Sequence, residues 1–259
     1  MSRRSVAVED DARWVFNRLA GDYAHRPGYP QSLVAHLLAL AGGPGARVAD
    51  LGAGTGLLAL PLARAGASVH AVEPARAMLA SLQEIAAAAG VQGVTPVHAT
   101  AEATGLPAGG FDLVVLADAL HWTDAARAGA EAARLLKPGG AVAVVEPRLA
   151  ATPFLDALAA RLAAANPRAR PAPPPVALFL SHAVGAGPPL PTLRFDHEVR
   201  LEPRRLDAVL RSLSLVGPAL GPAALATLLA DARALAAAHG GAVWRRELLL
   251  HAGRMSHAP

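Results

Sequence analysis

Two carboxylates flank a glycine-rich turn in the first third of the chain. Asp50 precedes the segment Gly52-Ala53-Gly54-Thr55-Gly56, and Glu73 follows its last glycine by seventeen residues. Glycines let a backbone approach a ligand closely and present N–H groups at the start of a helix. A carboxylate accepts hydrogen bonds from hydroxyl and amino groups. This spacing predicts a site for an adenosine-containing cofactor, in which Glu73 accepts both ribose hydroxyls.

A dinucleotide cofactor would require a different glycine spacing, Gly-x-Gly-x-x-Gly. Here the glycines fall at positions 52, 54 and 56, and Leu57 stands where the dinucleotide motif has its last glycine. Asp50 would repel a pyrophosphate, whereas it suits the amino group of a methionine moiety. These details favour S-adenosylmethionine. The simpler alternatives are a glycine turn without a ligand and a helix-capping role for Glu73.

The elements that would position these residues alternate between strands and helices from about residue 31 to residue 147. Strands are predicted at 47–51, 68–72, 94–98, 111–116 and 141–145, and helices at 31–40, 57–65, from 74 onward, and 123–136. This alternation is typical of a doubly wound, Rossmann-like α/β fold with a parallel sheet covered on both faces. Because active sites lie beyond the carboxyl ends of such strands, Asp50, Glu73, Asp118 and His121 are expected around one crevice.

The sequence after Pro147 changes character. It predicts a helix at 153–165, a proline-rich loop at 166–175, helices at 203–215 and 222–239, and strands at 195–201 and 243–251. Residues 176–192 fit no single element. We expect one domain over 1–259, with an N-terminal lid at 1–30, a cofactor-binding core at 31–147, a lid insertion at 148–192, and C-terminal helices and strands at 193–259.

Composition argues against several classes of function. The chain has no cysteine, which excludes disulfides, thiolate metal sites and cysteine nucleophiles. The net charge of +4 comes from scattered arginines, since Lys137 is the single lysine, and this pattern does not favour a nucleic-acid partner. No uncharged apolar run approaches the ~20 residues that span a bilayer, and the first twelve residues lack the apolar stretch of a signal peptide. We expect a cytoplasmic monomer or homodimer without a bound metal or a membrane partner.

Several segments resemble the class I S-adenosylmethionine-dependent methyltransferase family. Residues 48–56 are similar to its first motif, residues 69–79 to its second, residues 100–107 with 111–115 to its adenine-edge segment, and residues 134–140 to the turn before its fifth strand. The resemblance implies a seven-stranded sheet whose last strand is antiparallel, and residues 242–251 fit that role. It also implies that S-adenosylhomocysteine is the product left when the cofactor has given up its methyl group.

A small-molecule branch of that family is more similar still. It carries Tyr…Arg-Pro-x-Tyr-Pro, Ala-Leu-His-Trp and Ser-x-Ser segments, which this chain matches at residues 23–30, 119–122 and 212–214. The resemblance implies that the Ala101 N–H binds adenine, that Met78 packs on its ring, and that the backbone near Ala117 accepts from the methionine amino group. Many relatives have an aspartate where Thr100 stands. The predicted cofactor-binding residues are Tyr23, Arg26, Asp50, Gly52, Ala53, Gly54, Gly56, Glu73, Pro74, Met78, Thr100, Ala101, Glu102 and Ala117.

The expected chemistry is methyl transfer to a small organic molecule, for example a secondary metabolite. Oxygen is the first expectation for the acceptor atom, and nitrogen and carbon are alternatives. His121 is the candidate general base, because its ordinary pKa lies near neutrality and it follows the central strand; Asp118 is a weaker candidate. Alternatively, His121 and Trp122 only shape the pocket wall or begin the next helix, and Asp118 is a solvated loop carboxylate. The predicted substrate-pocket residues are Phe16, His121, Trp122, Arg148, Phe179 and Trp244.

Two other functions are compatible with the same cofactor site. A tRNA or protein methyltransferase would carry a basic face or a base-stacking motif beside the crevice, and the sequence shows neither. A protein that binds S-adenosylmethionine without transferring its methyl group is the alternative from another class.

Overall fold

A seven-stranded sheet organises residues 15–167, 173–185 and 190–255, which are the residues that the computed structural model describes. The strands are β1 (Arg47–Leu51), β2 (Ser68–Val72), β3 (Val94–Val97), β4 (Phe111–Ala117), β5 (Leu136–Leu149), β6 (Leu193–Leu201) and β7 (Ala242–Arg254). The helices are α1 (Phe16–Tyr23), α2 (Gln31–Leu40), α3 (Ala59–Arg64), α4 (Arg76–Ala88), α5 (Ala125–Leu135), α6 (Pro153–Ala165), α7 (Val176–Val184), α8 (Pro203–Ser212) and α9 (Pro222–Ala238). A single 3₁₀ turn, Leu120–Trp122, follows β4.

The strand order β3-β2-β1-β4-β5-β7-β6 confirms the predicted fold class. The first five strands are parallel, and β7 runs antiparallel to both β5 and β6. β1 and β4 lie inside the sheet and are apolar apart from Arg47, Asp50 and Asp112, as expected for strands covered on both faces. The carboxyl ends of β1, β2 and β4 therefore meet at one edge, where the loops that follow them converge.

Strand β5 is longer than the sequence predicts. The expected strand, 141–145, lies within an observed span of Leu136–Leu149. At its start, Leu136 pairs with Phe111 before a register shift, so Pro138 and the following glycines sit inside the strand as an irregularity. At its end, β5 continues because β7 pairs with it as far as Leu149. Both extensions depend on partners distant in sequence, which a local pattern does not reveal.

The two helices in the predicted lid at 148–192 pack on the body of the fold, and the lid itself stays a prediction. α6 belongs to a hydrophobic cluster with α8, α9 and β7, and α7 packs against α5 on the sheet. Phe179, predicted to line the substrate pocket, is fully buried in that second cluster. Of the proline-rich loop, residues 168–172 lie outside the described residues. By contrast, α1 from the predicted N-terminal lid contacts α4 and α8 and stands beside the strand ends.

The described helices include none with the length and apolar character needed to cross a lipid bilayer.

Alanine substitutions at two helical glycines should change the stability of the fold in opposite directions. A Cβ at Gly129 in α5 would lie 2.6 Å from the Phe179 carbonyl oxygen, whereas a Cβ at Gly21 in α1 would meet nothing within 4 Å. We expect Gly129→Ala to lower the free energy of unfolding by about 1–3 kcal/mol through overpacking. Gly21→Ala, the matched control, should raise it by about 0.5–1 kcal/mol. Urea denaturation of both variants measures the difference, and equal effects would contradict the observed α5–α7 packing.

Candidate active site

The glycine turn after β1 is held by the backbone of β2. The N–H groups of Gly52 and Ala53 both donate to the Val72 carbonyl, at 2.8 and 3.0 Å. Gly52 and Gly54 have φ angles of +78° and +56°, a region that favours glycine. A Cβ at Gly52 would lie 2.5 Å from the Ala119 Cβ, so the loop after β4 can approach only a bare backbone. The turn is thus built for close approach from the β4 side.

Glu73 closes β2 directly beneath this turn. Its Oε2 accepts from the Gly54 N–H at 3.0 Å, and its Oε1 accepts from the Ala75 N–H at 2.9 Å. Each carboxylate oxygen has two lone-pair directions, so one on each remains for a ligand. The side chain is buried and lines the adjoining crevice. Glu73 can therefore hold two hydroxyl groups while its own orientation stays fixed.

Asp50 lies below the turn rather than in the crevice wall. It is 1% exposed, and its Oδ2 has no hydrogen-bond partner. Burial, with the nearby Glu73 charge, raises the pKa of Asp50 to about 7, and burial also raises the pKa of Glu73. No lysine or arginine among the described residues offsets either shift. Two buried carboxylates without a cation favour a positively charged ligand.

The crevice in front of Glu73 encloses about 560 Å³. Nine of the predicted cofactor-binding residues line it: Tyr23, Gly52, Gly54, Glu73, Pro74, Met78, Thr100, Ala101 and Glu102. The other five predicted residues do not: Arg26, Asp50, Ala53, Gly56 and Ala117. Phe16, Asp118, Ala119, Trp122 and Thr123 complete the wall. The approach of Ala119 to Gly52 is a tertiary contact with no signal in the sequence.

Some predicted cofactor residues have other roles in the structure. A Cβ at Gly56 would lie 3.0 Å from side-chain atoms of Leu60 and Leu82, so this glycine permits helix packing rather than ligand approach. Arg26 donates through Nε to the Ser212 Oγ at 2.8 Å and through Nη1 to an Asp118 carboxylate oxygen at 3.3 Å. In this structure Arg26 fixes the loop after β4, and its contact with the cofactor stays a prediction.

Asp118 stands at the junction of three cavities. It lines the crevice, a second cavity of about 720 Å³ beside Tyr23 and Arg26, and a third cavity beside His121. Its φ of +54° is the only positive value among the described non-glycine residues. Such a conformation is uncommon outside glycine and is retained where surrounding contacts enforce it. Here the Arg26 ion pair and a 3.0 Å bond from the Asp118 N–H to the Val145 carbonyl enforce it.

The predicted substrate-pocket residues are divided among these cavities. Phe16 and Trp122 pack edge to face, with ring centroids 5.0 Å apart, and line the crevice. Trp244 lines the second cavity, and Arg148 lies between the second and third. His121 is exposed at the rim of the third cavity. Partial desolvation lowers the pKa of its imidazole, and the Asp118 carboxylate raises this pKa by a smaller amount. Phe179 lines none of these cavities.

Comparison with known proteins identifies the segment that carries this site. Residues 49–144 match a protein family described as "Methyltransferase domain". This segment is therefore similar to methyltransferase domains. It contains the glycine turn, Glu73, the adenine-edge segment and His121, whereas Phe16, Tyr23 and Trp244 come from outside it. The matched segment supplies most of the cofactor side of the site, and the flanking segments supply much of the second cavity.

Similar proteins match different shares of the chain. An uncharacterised methyltransferase from Mycobacterium tuberculosis is 40% identical over 145 residues, which are 56% of this chain and 54% of the relative. The chain thus spans about half the length of the curated relatives it matches. A solved structure of a proposed type II methyltransferase from Anaeromyxobacter dehalogenans is 28% identical, with a TM-score of 0.66, and the match covers 90% of this chain and 99% of that one. The [4+2]-cyclase SpnF shares the fold at a TM-score of 0.54 and 23% identity, over 88% of this chain and 80% of its own.

The donors in the crevice fit S-adenosylmethionine. Glu73 offers two acceptor positions for a ribose, and Met78 and Ala101 lie in the same wall. The buried Asp50 and Glu73 charges are complementary to a ligand with a sulfonium and an ammonium group. A pyrophosphate would add negative charge to the same place. The structure therefore agrees with the predicted cofactor.

Removing the charge of Glu73 should weaken cofactor binding. We expect Glu73→Gln to reduce the affinity for S-adenosylhomocysteine by about 1.5–3 kcal/mol, because charge-assisted hydrogen bonds to the ribose are lost. Glu84→Gln, an exposed carboxylate on α4, is the matched control and should leave the affinity unchanged. Isothermal titration calorimetry measures both, and an unaltered affinity in Glu73→Gln would reject this ribose site.

The pKa of Asp50 should make the stability of the ligand-free protein depend on pH. Its folded-state pKa of about 7 lies above its ordinary value of 3.8, so the folded state favours the protonated form. Relative to Asp50→Asn, the wild-type free energy of unfolding should therefore be highest below pH 3.8. The wild-type free energy of unfolding should then fall by about 1.4 kcal/mol per pH unit as the pH rises from 3.8 to about 7. Urea denaturation at several pH values tests this, and parallel pH profiles for the two proteins would contradict it.

Proposed function

We propose that this protein transfers a methyl group from S-adenosylmethionine to a small organic molecule held in the second cavity. The observation that carries the proposal is the pair of buried, uncompensated carboxylates, Asp50 and Glu73, at adjacent strand ends beside a crevice. The second cavity meets this crevice at Tyr23 and Asp118, which line both. An acceptor in the second cavity would thus lie next to the cofactor.

The bound cofactor supplies a methyl group that its sulfonium already activates. The chain's own residues then have three tasks. Glu73 fixes the sugar, and the Phe16–Trp122 pair walls the crevice from water. Arg26, Tyr23 and Asp118 form a rigid partition between the two cavities, because the Arg26 guanidinium lies 4.2 Å over the Tyr23 ring and also pairs with Asp118. Such positioning supplies much of the rate enhancement in reactions of this kind.

The lining of the second cavity supports a small acceptor. Much of its wall is apolar, with a few charged and polar side chains among the apolar ones, as in small-molecule sites. A nucleic acid or protein acceptor would require an open basic or extended surface beside the crevice. We extend the proposal to a cytoplasmic protein without a nucleic-acid or membrane partner. The acceptor is oxygen in our first expectation, with nitrogen or carbon as alternatives.

A label-transfer experiment tests this function. The purified protein is incubated with S-adenosylmethionine carrying a labelled methyl group and with a small-molecule extract of cells. We expect label in a small-molecule product together with S-adenosylhomocysteine. Tight cofactor binding without label transfer would instead support a binding protein without transferase activity. Label in added tRNA or protein would support the macromolecular alternative.

We propose His121 as the general base. It lines the third cavity, which meets the second at Asp118 and Arg148, so it would act on an acceptor atom placed at that junction. The lowered pKa of its imidazole keeps the ring neutral, and so able to accept a proton, at neutral pH. We expect His121→Ala to reduce turnover by ~10²-fold or more and to remove the loss of kcat/KM that wild type shows as the pH falls below the lowered pKa. His239→Ala, an exposed histidine after α9, is the control. Turnover near that of wild type would leave His121 as a wall residue only.

A further inference from the structure

Strand β7 carries one charged side chain on its buried face. Alternation along a strand places Trp244, Arg246 and Leu248 on the same side, and both hydrophobic members are buried. Arg246 belongs to the lining of the second cavity together with Trp244. Arg245, its neighbour, is exposed on the opposite face. A guanidinium on the inner face of a strand is costly unless it has partners or a ligand.

The partners of Arg246 neutralise none of its charge. Its Nη2 donates to the carbonyl oxygens of Pro27 and Gly28 and lies 2.9 Å from the His197 Nδ1. The buried Nε has no hydrogen-bond partner, and no carboxylate of the described residues lies within 4.0 Å of the guanidinium. Desolvation lowers the pKa of Arg246. The backbone contacts thus fix the side chain, while part of its donor capacity stays unused.

The other charged groups of the second cavity are already paired. Arg26 pairs with Asp118 at 3.3 Å, and Arg148 pairs with Glu146 at 3.0 Å. Arg246 is therefore the guanidinium there that lacks a carboxylate partner among the described residues. It lines the second cavity and not the cofactor crevice, and Asp118, Arg26 and Tyr23 lie close enough to interact with its charge. The excess of positive charge in this cavity favours an anionic ligand.

We propose that the substrate is an organic acid whose carboxylate binds Arg246. The apolar body of the acid lies against Trp244, Leu149 and Leu213 in the second cavity, and its methyl acceptor reaches the partition at Tyr23 and Asp118. A guanidinium suits a carboxylate because it forms charge-assisted hydrogen bonds with it. Since Nε is buried and Nη2 already donates, the N–H groups of Nη1, which bond to no atom of the described residues, would donate to the carboxylate. This inference rests on the proposed function, since it names the class of molecule that the second cavity accepts.

Binding measurements test this inference separately from turnover. The probes are 3-phenylpropanoate and its neutral amide, 3-phenylpropanamide, titrated into protein saturated with S-adenosylhomocysteine. We expect the acid to bind wild type at least ~10-fold more tightly than the amide, because only the acid forms charge-assisted bonds. Comparable affinities for acid and amide, or no measurable binding of the acid, would overturn the proposal, and neither result requires a variant.

Three variants then locate the effect. Arg246→Gln should abolish the preference for the acid, Arg246→Lys should retain part of it, and Arg245→Gln, the matched control, should retain all of it. The affinity for S-adenosylhomocysteine should stay within ~2-fold of wild type in each, which also shows that the variants fold. A preference for the acid that survives in Arg246→Gln would overturn the proposal. So would a weakened affinity for S-adenosylhomocysteine in Arg246→Gln, because Arg246 would then serve the cofactor.

The label-transfer assay separates this inference from the proposed function. The small-molecule extract is divided by ion exchange into anionic and non-anionic fractions before incubation with labelled S-adenosylmethionine. We expect labelled product from the anionic fraction. Product from the non-anionic fraction alone would overturn the organic acid while leaving methyl transfer intact. No product from either fraction, in a protein that binds the cofactor and prefers the acid probe, would contradict methyl transfer alone.

Discussion

The site depends on two carboxylates that the fold buries without a cation. Parallel strands β1 and β2 end side by side, and each contributes one acidic side chain close to its end. Glu73 is stabilised by two backbone N–H groups, whereas one oxygen of Asp50 has no partner at all. Burying such charges is costly, and the raised pKa values of both groups express that cost. A cationic nucleoside offsets this cost. The two buried carboxylates therefore lower the stability of the protein without a ligand and favour the binding of a cationic one.

The partition between the two cavities is held together by different interactions. Tyr23 and Arg26 come from the N-terminal segment, Ser212 from the end of α8, and Asp118 from the loop after β4. Their hydrogen bonds and stacking join three distant parts of the chain into one partition. Asp118 adopts its left-handed conformation within these contacts. Because the partition is fixed, it can orient two molecules where the cavities meet beside it, and the proposed in-line transfer requires direct contact between them there.

Charge differs between the two cavities that this partition separates. Acidic side chains dominate around the cofactor crevice, whereas guanidinium groups dominate in the second cavity. The opposite preferences reduce the risk that either ligand occupies the wrong position, since each would meet like charge there. The β7 strand contributes to this separation because its antiparallel pairing with β5 carries Arg246 and Trp244 next to the strand ends.

Local sequence patterns determined the fold class, the parallel core and the glycine turn with Glu73, because these features depend on periodicity, glycine spacing and residues near in sequence. The helix at 31–40 and the strands at 47–51 and 68–72 have the predicted bounds for the same reason. Only the tertiary structure decided the rest. It placed Phe179 in the core, extended β5 along β7, assigned Arg26 to Asp118 and Ser212, and brought Arg246 to the second cavity. Each of these outcomes depends on contacts between residues far apart in sequence, which set burial and charge pairing and leave no local pattern.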